Sequence, residues 1–174
     1  MALDKYMTDK NKHFMEIALG LAEDTLKAGE FPVGCVIADS NNVLATGSRI
    51  HSSNVGVNEV DHAETIALRR LADRQEPLNN SELTIYCTLE PCLMCFGAII
   101  LSNISNIVFA FEDIMGGGTG CDLEKLTPLY KKSSVSIIPG VLREKSLVLF
   151  KSFFSDPANT YWKGSLLADY TLGI

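Results

Sequence analysis

The chain has 174 residues, 47% of them hydrophobic and 21% charged, which describes one globular domain able to bury about two-thirds of its unfolded surface. Its net charge of −6 argues against a broad phosphate-binding surface, because that needs concentrated Lys and Arg. The basic clusters are only pairs (Lys10 and Lys12, Arg69-Arg70, Lys131-Lys132) and read as solvated helix faces.

In chain order, Phe14, Ile17, Ala18, Leu21 and Ala22 recur at helical spacing and predict an amphipathic helix over 10–28, stopped near Gly29. The apolar runs 33–38 and 43–48 flank Asp39-Ser40-Asn41-Asn42 and read as a β-hairpin. A second helix over 62–73 puts Ala63, Ile66, Ala67 and Leu71 on one face, followed by a strand over 83–87, a third helix over 92–101 and a strand over 107–111. After the loop Gly116-Gly117-Gly118-Thr119-Gly120, a short helix over 123–130, a strand over 135–138 and a helix over 142–154 complete the core. Alternating strands and helices predict an α/β fold, a three-layer α/β/α sandwich around one central sheet. Asp156-Pro157-Ala158-Asn159 then breaks the chain, so 1–155 reads as the domain and 156–174 as a tail or helix packed on it. That tail carries Tyr161 and Trp162, and either packs on the core or closes over a site. The longest apolar run, 93–101, is too short to span a bilayer, and the N-terminus lacks a secretory pattern. A soluble cytoplasmic protein with no membrane partner is expected.

Of the cysteines at 35, 87, 92, 95 and 121, only Cys92 and Cys95 have metal-ligand spacing, and an odd, scattered count is no disulfide framework. Cys35 and Cys87 lie in strand-like runs and read as small buried hydrophobes; Cys121 reads as a free thiol. Thirty positions before Cys92 stands His62-Ala63-Glu64. Residues two apart on a helix point about 200° apart, so His62 and Glu64 reach a common centre only beyond the helix's N-terminal end. Cys92 and Cys95 share a face in the first turn of theirs. A zinc ion between two helix N-termini satisfies both constraints, and the partial positive charge there favours thiolate over thiol. His62, Cys92 and Cys95 then make three ligands with a fourth position open, the mark of a catalytic site. A water in that position is acidified into a hydroxide nucleophile, and the carboxylate of Glu64, not itself a ligand, is placed to shuttle protons. Each part has a plainer reading when taken alone. Asp61 and Glu64 also fit a capping box, and Cys92-x-x-Cys95 also fits a redox pair.

Together, however, His62-x-Glu64 and Pro91-Cys92-x-x-Cys95 form a known signature of zinc nucleobase deaminases. With Pro32-Val33-Gly34-Cys35-Val36 and the string from Thr88 to Ala98, the chain over about 12–154 resembles the cytidine-deaminase-like superfamily, in the branch of tRNA adenosine, cytosine and guanine deaminases. The resemblance implies a mixed five-stranded sheet, Zn²⁺ held by His62, Cys92 and Cys95, and Glu64 as catalytic proton shuttle. It also implies Ala63 backbone against the substrate ring, Val33 in the pocket wall, and a homodimer.

Two departures bear on substrate. Relatives usually end the second strand with Gly-x-Asn; this chain has Gly47-Ser48-Arg49, replacing an amide donor and acceptor by a pure donor. Either Arg49 meets an anionic or carbonyl-rich substrate group, or it is surface-exposed and Asn54 or Asn58 serves instead. Glu112-Asp113 stands where relatives select substrate, so Asp113 or its neighbour either pairs with an amino or N–H edge of a base or forms a solvated acidic turn. The charge and aromatic tail favour a small-molecule base or nucleoside substrate; the Thr88 to Ala98 string favours tRNA (wobble) adenosine. A non-catalytic zinc module or redox protein is the alternative of another class.

Overall fold

The computed structural model describes residues 8–52 and 57–174. Helix α1 (Asp9–Lys27) starts at Thr8, whose side chain accepts from the Asn11 amide, and buries Phe14, Met15, Ala18, Leu19 and Ala22. It leads into strands β1 (Gly34–Ala38) and β2 (Val43–Ser48), then α2 (Ala63–Ala72), β3 (Thr84–Leu89), α3 (Leu93–Leu101) and β4 (Asn106–Phe111). The region expected as one short helix over 123–130 is broken into a 3₁₀ turn, Leu123–Lys125, and α4 (Pro128–Lys131). Pro128 explains the break: it fits the first turn of a new helix, but has no N–H with which to continue an old one. Strand β5 (Ser136–Ile138), α5 (Arg143–Ser155) and α6 (Leu166–Gly173) follow.

The sheet is mixed and five-stranded, in the order β2-β1-β3-β4-β5. β1 runs antiparallel to both β2 and β3, whereas β3, β4 and β5 are parallel. Period-2 alternation divides its side chains between two cores. Cys35, Ile37, Ile85, Cys87, Ile107 and Phe109 face α2 and α3; Val36, Ala38, Tyr86, Val108 and Ala110 face α1. Helix α5 lies beside α1, and α6 packs on α5. Tyr161 and Leu167 share the first core with Phe31 and Phe150. Among the described residues, no helix is long and apolar enough to cross a membrane.

Strand polarity decides where a site can form. Because β1 opposes β3, the start of β1 and the ends of β2, β3 and β4 lie at one edge of the sheet. Open α/β sheets bind ligands at such a carboxyl edge. Gly47 makes the edge usable: a Cβ there would stand 1.9 Å from the Ala63 carbonyl oxygen, so only glycine lets β2 lie against the first turn of α2. Replacing Gly47 by alanine is therefore expected to destabilise the fold by about 1–3 kcal/mol, read from denaturant midpoints. It should also weaken metal binding at the start of α2, read by chelator competition.

Candidate zinc centre and pocket

Helix α2 has His62 as its N-cap, without a side-chain capping bond. The alternative capping-box reading of Asp61 and Glu64 does not hold: His62 is the N-cap, and the Asp61 carboxylate pairs with Arg69 and accepts from Asn58 Nδ2 at 2.7 Å. Asn58 Oδ1 accepts from the amides of Val60 (2.9 Å) and Asp61 (3.1 Å), a local turn that fixes how the chain enters α2. Cys92 is the N-cap of α3, with Cys95 in its first turn. The two helix starts bring His62 Nδ1 to 3.6 Å from Cys92 Sγ and 3.5 Å from Cys95 Sγ.

These distances test the metal. In a tetrahedral centre with Zn–S of about 2.3 Å and Zn–N of about 2.0 Å, nitrogen and sulfur stand about 3.5 Å apart. The three ligand atoms all lie within 4.8 Å of one another, and no fourth His, Cys, Asp or Glu joins them among the described residues. Donor chemistry, spacing and the open fourth position fit zinc. The other imidazole nitrogen, Nε2, faces Glu59 Oε2 at 3.7 Å, the side from which carboxylates orient metal-binding histidines.

Proton affinities follow from the arrangement. A hydrogen bond from Cys95 outweighs burial and, with His62, pulls the Cys92 thiol down to about 4, while the Cys95 thiol is held well above its usual value. Burial disfavours the His62 imidazolium, but the hydrogen bond to Cys92 and the charge of Glu64 outweigh it and raise the pKa. Glu64 is 4% exposed, and burial pushes its carboxyl up to about 6. Cys35 and Cys87 are fully buried, and both are pushed up by burial.

Above the centre lies a pocket lined in part by Val33, Arg49, His62, Ala63, Glu64, Cys92 and Asp113. The structure thus gathers the sequence-predicted residues around one space, with Cys95 buried behind it. Arg49 is not at the surface: it is 3% exposed, and it bonds the carbonyls of Asn58 and Asp61, the Glu59 carboxylate and the Tyr161 hydroxyl. Asn58 is used in its own turn, and Asn54 lies outside the described residues. Glu112 is neither a base contact nor a solvated turn. It is paired with Arg143 and accepts from Tyr170, and these partners outweigh burial and hold its carboxyl down to about 2. Asp113 does face the pocket; its Oδ1 accepts from the amides of Met115 and Gly116, both at 2.9 Å, and burial raises its pKa against them.

Sequence reasoning missed four wall or support residues. Phe31, Leu89 and Glu90 line the pocket, and Glu59 has no motif around it. Glu90 pins the glycine loop by accepting from the Asp113 and Thr119 amides. Gly118 lets that loop meet the first turn of α3, where a Cβ would stand 2.6 Å from Leu93 backbone.

The raised carboxyl of Glu64 gives a stability prediction for the zinc-free protein. Its folded pKa of about 6 exceeds the ordinary carboxyl value of 4.5, so the folded state binds the proton more tightly and stability falls as pH rises from about 4.5 through about 6. The loss should be about 2 kcal/mol, read by urea denaturation at stepped pH, and Glu64→Gln should flatten that segment of the profile.

Comparison with known proteins agrees with this geometry. The family described as "Cytidine and deoxycytidylate deaminase zinc-binding region" matches residues 8–111. A tRNA-specific adenosine deaminase of Haemophilus influenzae is 33% identical over 86% of this chain and 86% of its own. One of Buchnera aphidicola is 42% identical over 59% of this chain and 62% of its own. Among solved structures, one from a study of A-to-I editing by tRNA:A34 deaminases at the wobble position has a TM-score of 0.65 and 28% identity, covering 79% of this chain and 98% of that one. A guanine deaminase from Nitrosomonas europaea, at 22% identity and a TM-score of 0.60, covers 80% of this chain and 81% of its own and shares the fold. The chain belongs to the zinc-binding cytidine and deoxycytidylate deaminase family, and is a zinc-dependent hydrolytic deaminase.

Proposed function

We propose that the substrate is a small aminated heterocycle, a free base or nucleoside, deaminated in the pocket above His62, Cys92 and Cys95. The observation that carries this is the wall: Tyr161 and Trp162, from the segment before α6, line the pocket together with the zinc-binding residues. A base extruded from a polynucleotide needs an open exit for its backbone, whereas here the protein's own aromatic residues stand at the pocket. The acidic net charge of −6 points the same way.

When bound, zinc supplies a water acidified towards neutral pH. The remaining steps belong to protein groups. Glu64 takes a proton from the attacking water and delivers it to a ring nitrogen as the C–O bond forms; it then takes the proton of the newly added hydroxyl and passes it to the amine, which leaves as ammonia when the C–N bond breaks and the carbonyl forms. Burial, which raises the Glu64 proton affinity, favours a carboxyl that can accept as well as release a proton. Ala63 backbone and the Val33 side chain flank the ring. Asp113, turned towards the pocket from the glycine loop, accepts an amino or ring N–H edge.

The second reading, a tRNA wobble adenosine deaminase, is favoured by the names of the relatives at 33% and 42% identity. In either case we propose a homodimer, with Leu93, Met94 and Leu101 of α3 and Met115 of the neighbouring loop, all exposed apolar side chains, covered by a second copy. None of the five cysteines is in a disulfide, which suits a reducing cytoplasm.

An ammonia-release screen of the zinc protein should turn over free aminated bases or nucleosides with KM nearly independent of salt. Turnover confined to a tRNA anticodon stem-loop, with steep loss of affinity as salt is added, would establish the second reading instead. Glu64→Ala should retain a full complement of zinc and lose about 10²–10⁴-fold in kcat; undiminished ammonia release from that variant would refute the proton route.

A further inference from the structure

Arg49 follows β2 and carries a guanidinium that the pocket's chemistry does not explain. Nη1 donates to the carbonyls of Asn58 (2.5 Å) and Asp61 (3.2 Å); Nη2 donates to Glu59 Oε2 (2.9 Å) and to the Tyr161 hydroxyl (3.3 Å). The same hydroxyl lies 3.2 and 3.1 Å from the two oxygens of Glu59. Guanidinium, carboxylate and phenol therefore close a three-membered ring of polar contacts, and its third member arrives from 112 residues along the chain. The Arg49 side chain is 2% exposed and that of Glu59 is 49% exposed. Loss of Glu59 would thus strand a buried cation, which is the costly direction.

What this ring holds is an aromatic pair. Tyr161 and Trp162 stack with centroids 5.0 Å apart and planes at 11°, and Trp162 sits at φ +52°, in the left-handed region that is unfavourable for a bulky residue. Neighbouring contacts must hold it there. Tyr161 lines two spaces, the pocket above the ligand set and an outer groove bounded by Leu26, Ser52, Phe153 and Asn159.

We propose that Arg49 and Glu59 are positioning residues that clasp Tyr161, and through it Trp162, as the partition between pocket and outer groove, so that the clasped segment sets the size of heterocycle admitted. Arg49 acts here through Tyr161 and the 58–61 turn, with its donors spent on the protein. The inference rests on this pocket being the substrate site for its consequence on size, but not for the clasp itself.

Trp162 is the single tryptophan in the sequence, so its fluorescence reports the clasp directly, in zinc-free and zinc-loaded protein alike. Tyr161→Phe keeps the stack and removes the hydroxyl; Arg49→Met and Glu59→Gln remove the other two members, and Arg49→Lys restores the charge. Acrylamide quenching of Trp162 should increase in Tyr161→Phe, Glu59→Gln and Arg49→Met and fall back partway in Arg49→Lys. For the smallest substrate found in the ammonia screen, KM should rise about tenfold in Tyr161→Phe with kcat changed less than about threefold, and bulkier substituted heterocycles should gain relative to it. Unchanged quenching in Tyr161→Phe, the variant least disturbing to folding, would overturn the clasp. A fall in kcat at constant KM in Arg49→Lys would overturn it too, by placing the guanidinium on the transition state. If no free heterocycle is turned over, the quenching result still decides the clasp, while the substrate reading fails separately.

Discussion

Three donor atoms have to stand about 3.5 Å apart for one tetrahedral ion to be held, and that requirement organises the architecture around it. The donors come from two helix starts, so α2 and α3 must converge end-on at one edge of the sheet. Convergence needs β2 to lie against the first turn of α2, which Gly47 permits, and the glycine loop to lie against the first turn of α3, which Gly118 permits. It also needs β1 to oppose β3, so that Val33 and Arg49 arrive at the edge where β3 and β4 end. The antiparallel hairpin before the parallel strands is what gives the pocket a second side.

Electrostatics follow from that convergence. A buried carboxyl beside a thiolate is expensive to ionise, and Glu64 stands at the N-terminal turn of α2 with burial pushing it up. Helix starts oppose this penalty by favouring negative charge. In the metal-free arrangement the balance leaves the Glu64 carboxyl at about 6. Cys35 and Cys87, buried in the neighbouring strands, take the other course: away from a helix start, burial keeps them protonated hydrophobes.

Local signals made the layers and the candidate zinc ligands legible in the sequence. Helical and strand periods gave the element order, and His62-x-Glu64 with Cys92-x-x-Cys95 gave the donor set. What local signals carry poorly is partnership over long separations. A capping box at Asp61 and Glu64 was locally sensible, yet Arg69, eight residues on, claims Asp61. Glu112 looked like half of an acidic turn, but its partners Arg143 and Tyr170 stand 31 and 58 residues further along. Arg49 stood out as an odd residue in a familiar place; that it is buried against Glu59 and Tyr161 depends on tertiary contacts that no spacing rule encodes. Glu59 carried no signal because a lone glutamate in a polar stretch is ordinarily solvated.

The distance in sequence between Arg49 and Tyr161 also has a temporal side. During synthesis the helix starts carrying His62, Cys92 and Cys95 emerge well before Tyr161 and Trp162, and 112 positions separate the two ends of the Arg49–Tyr161 contact. Pairings of such separation pay their loop-closure entropy late. The nascent chain can therefore assemble its metal-binding half first and acquire a bounded reaction chamber only afterwards. Until the final segment docks, a catalyst of this design holds its zinc ligands without a closed vessel around them.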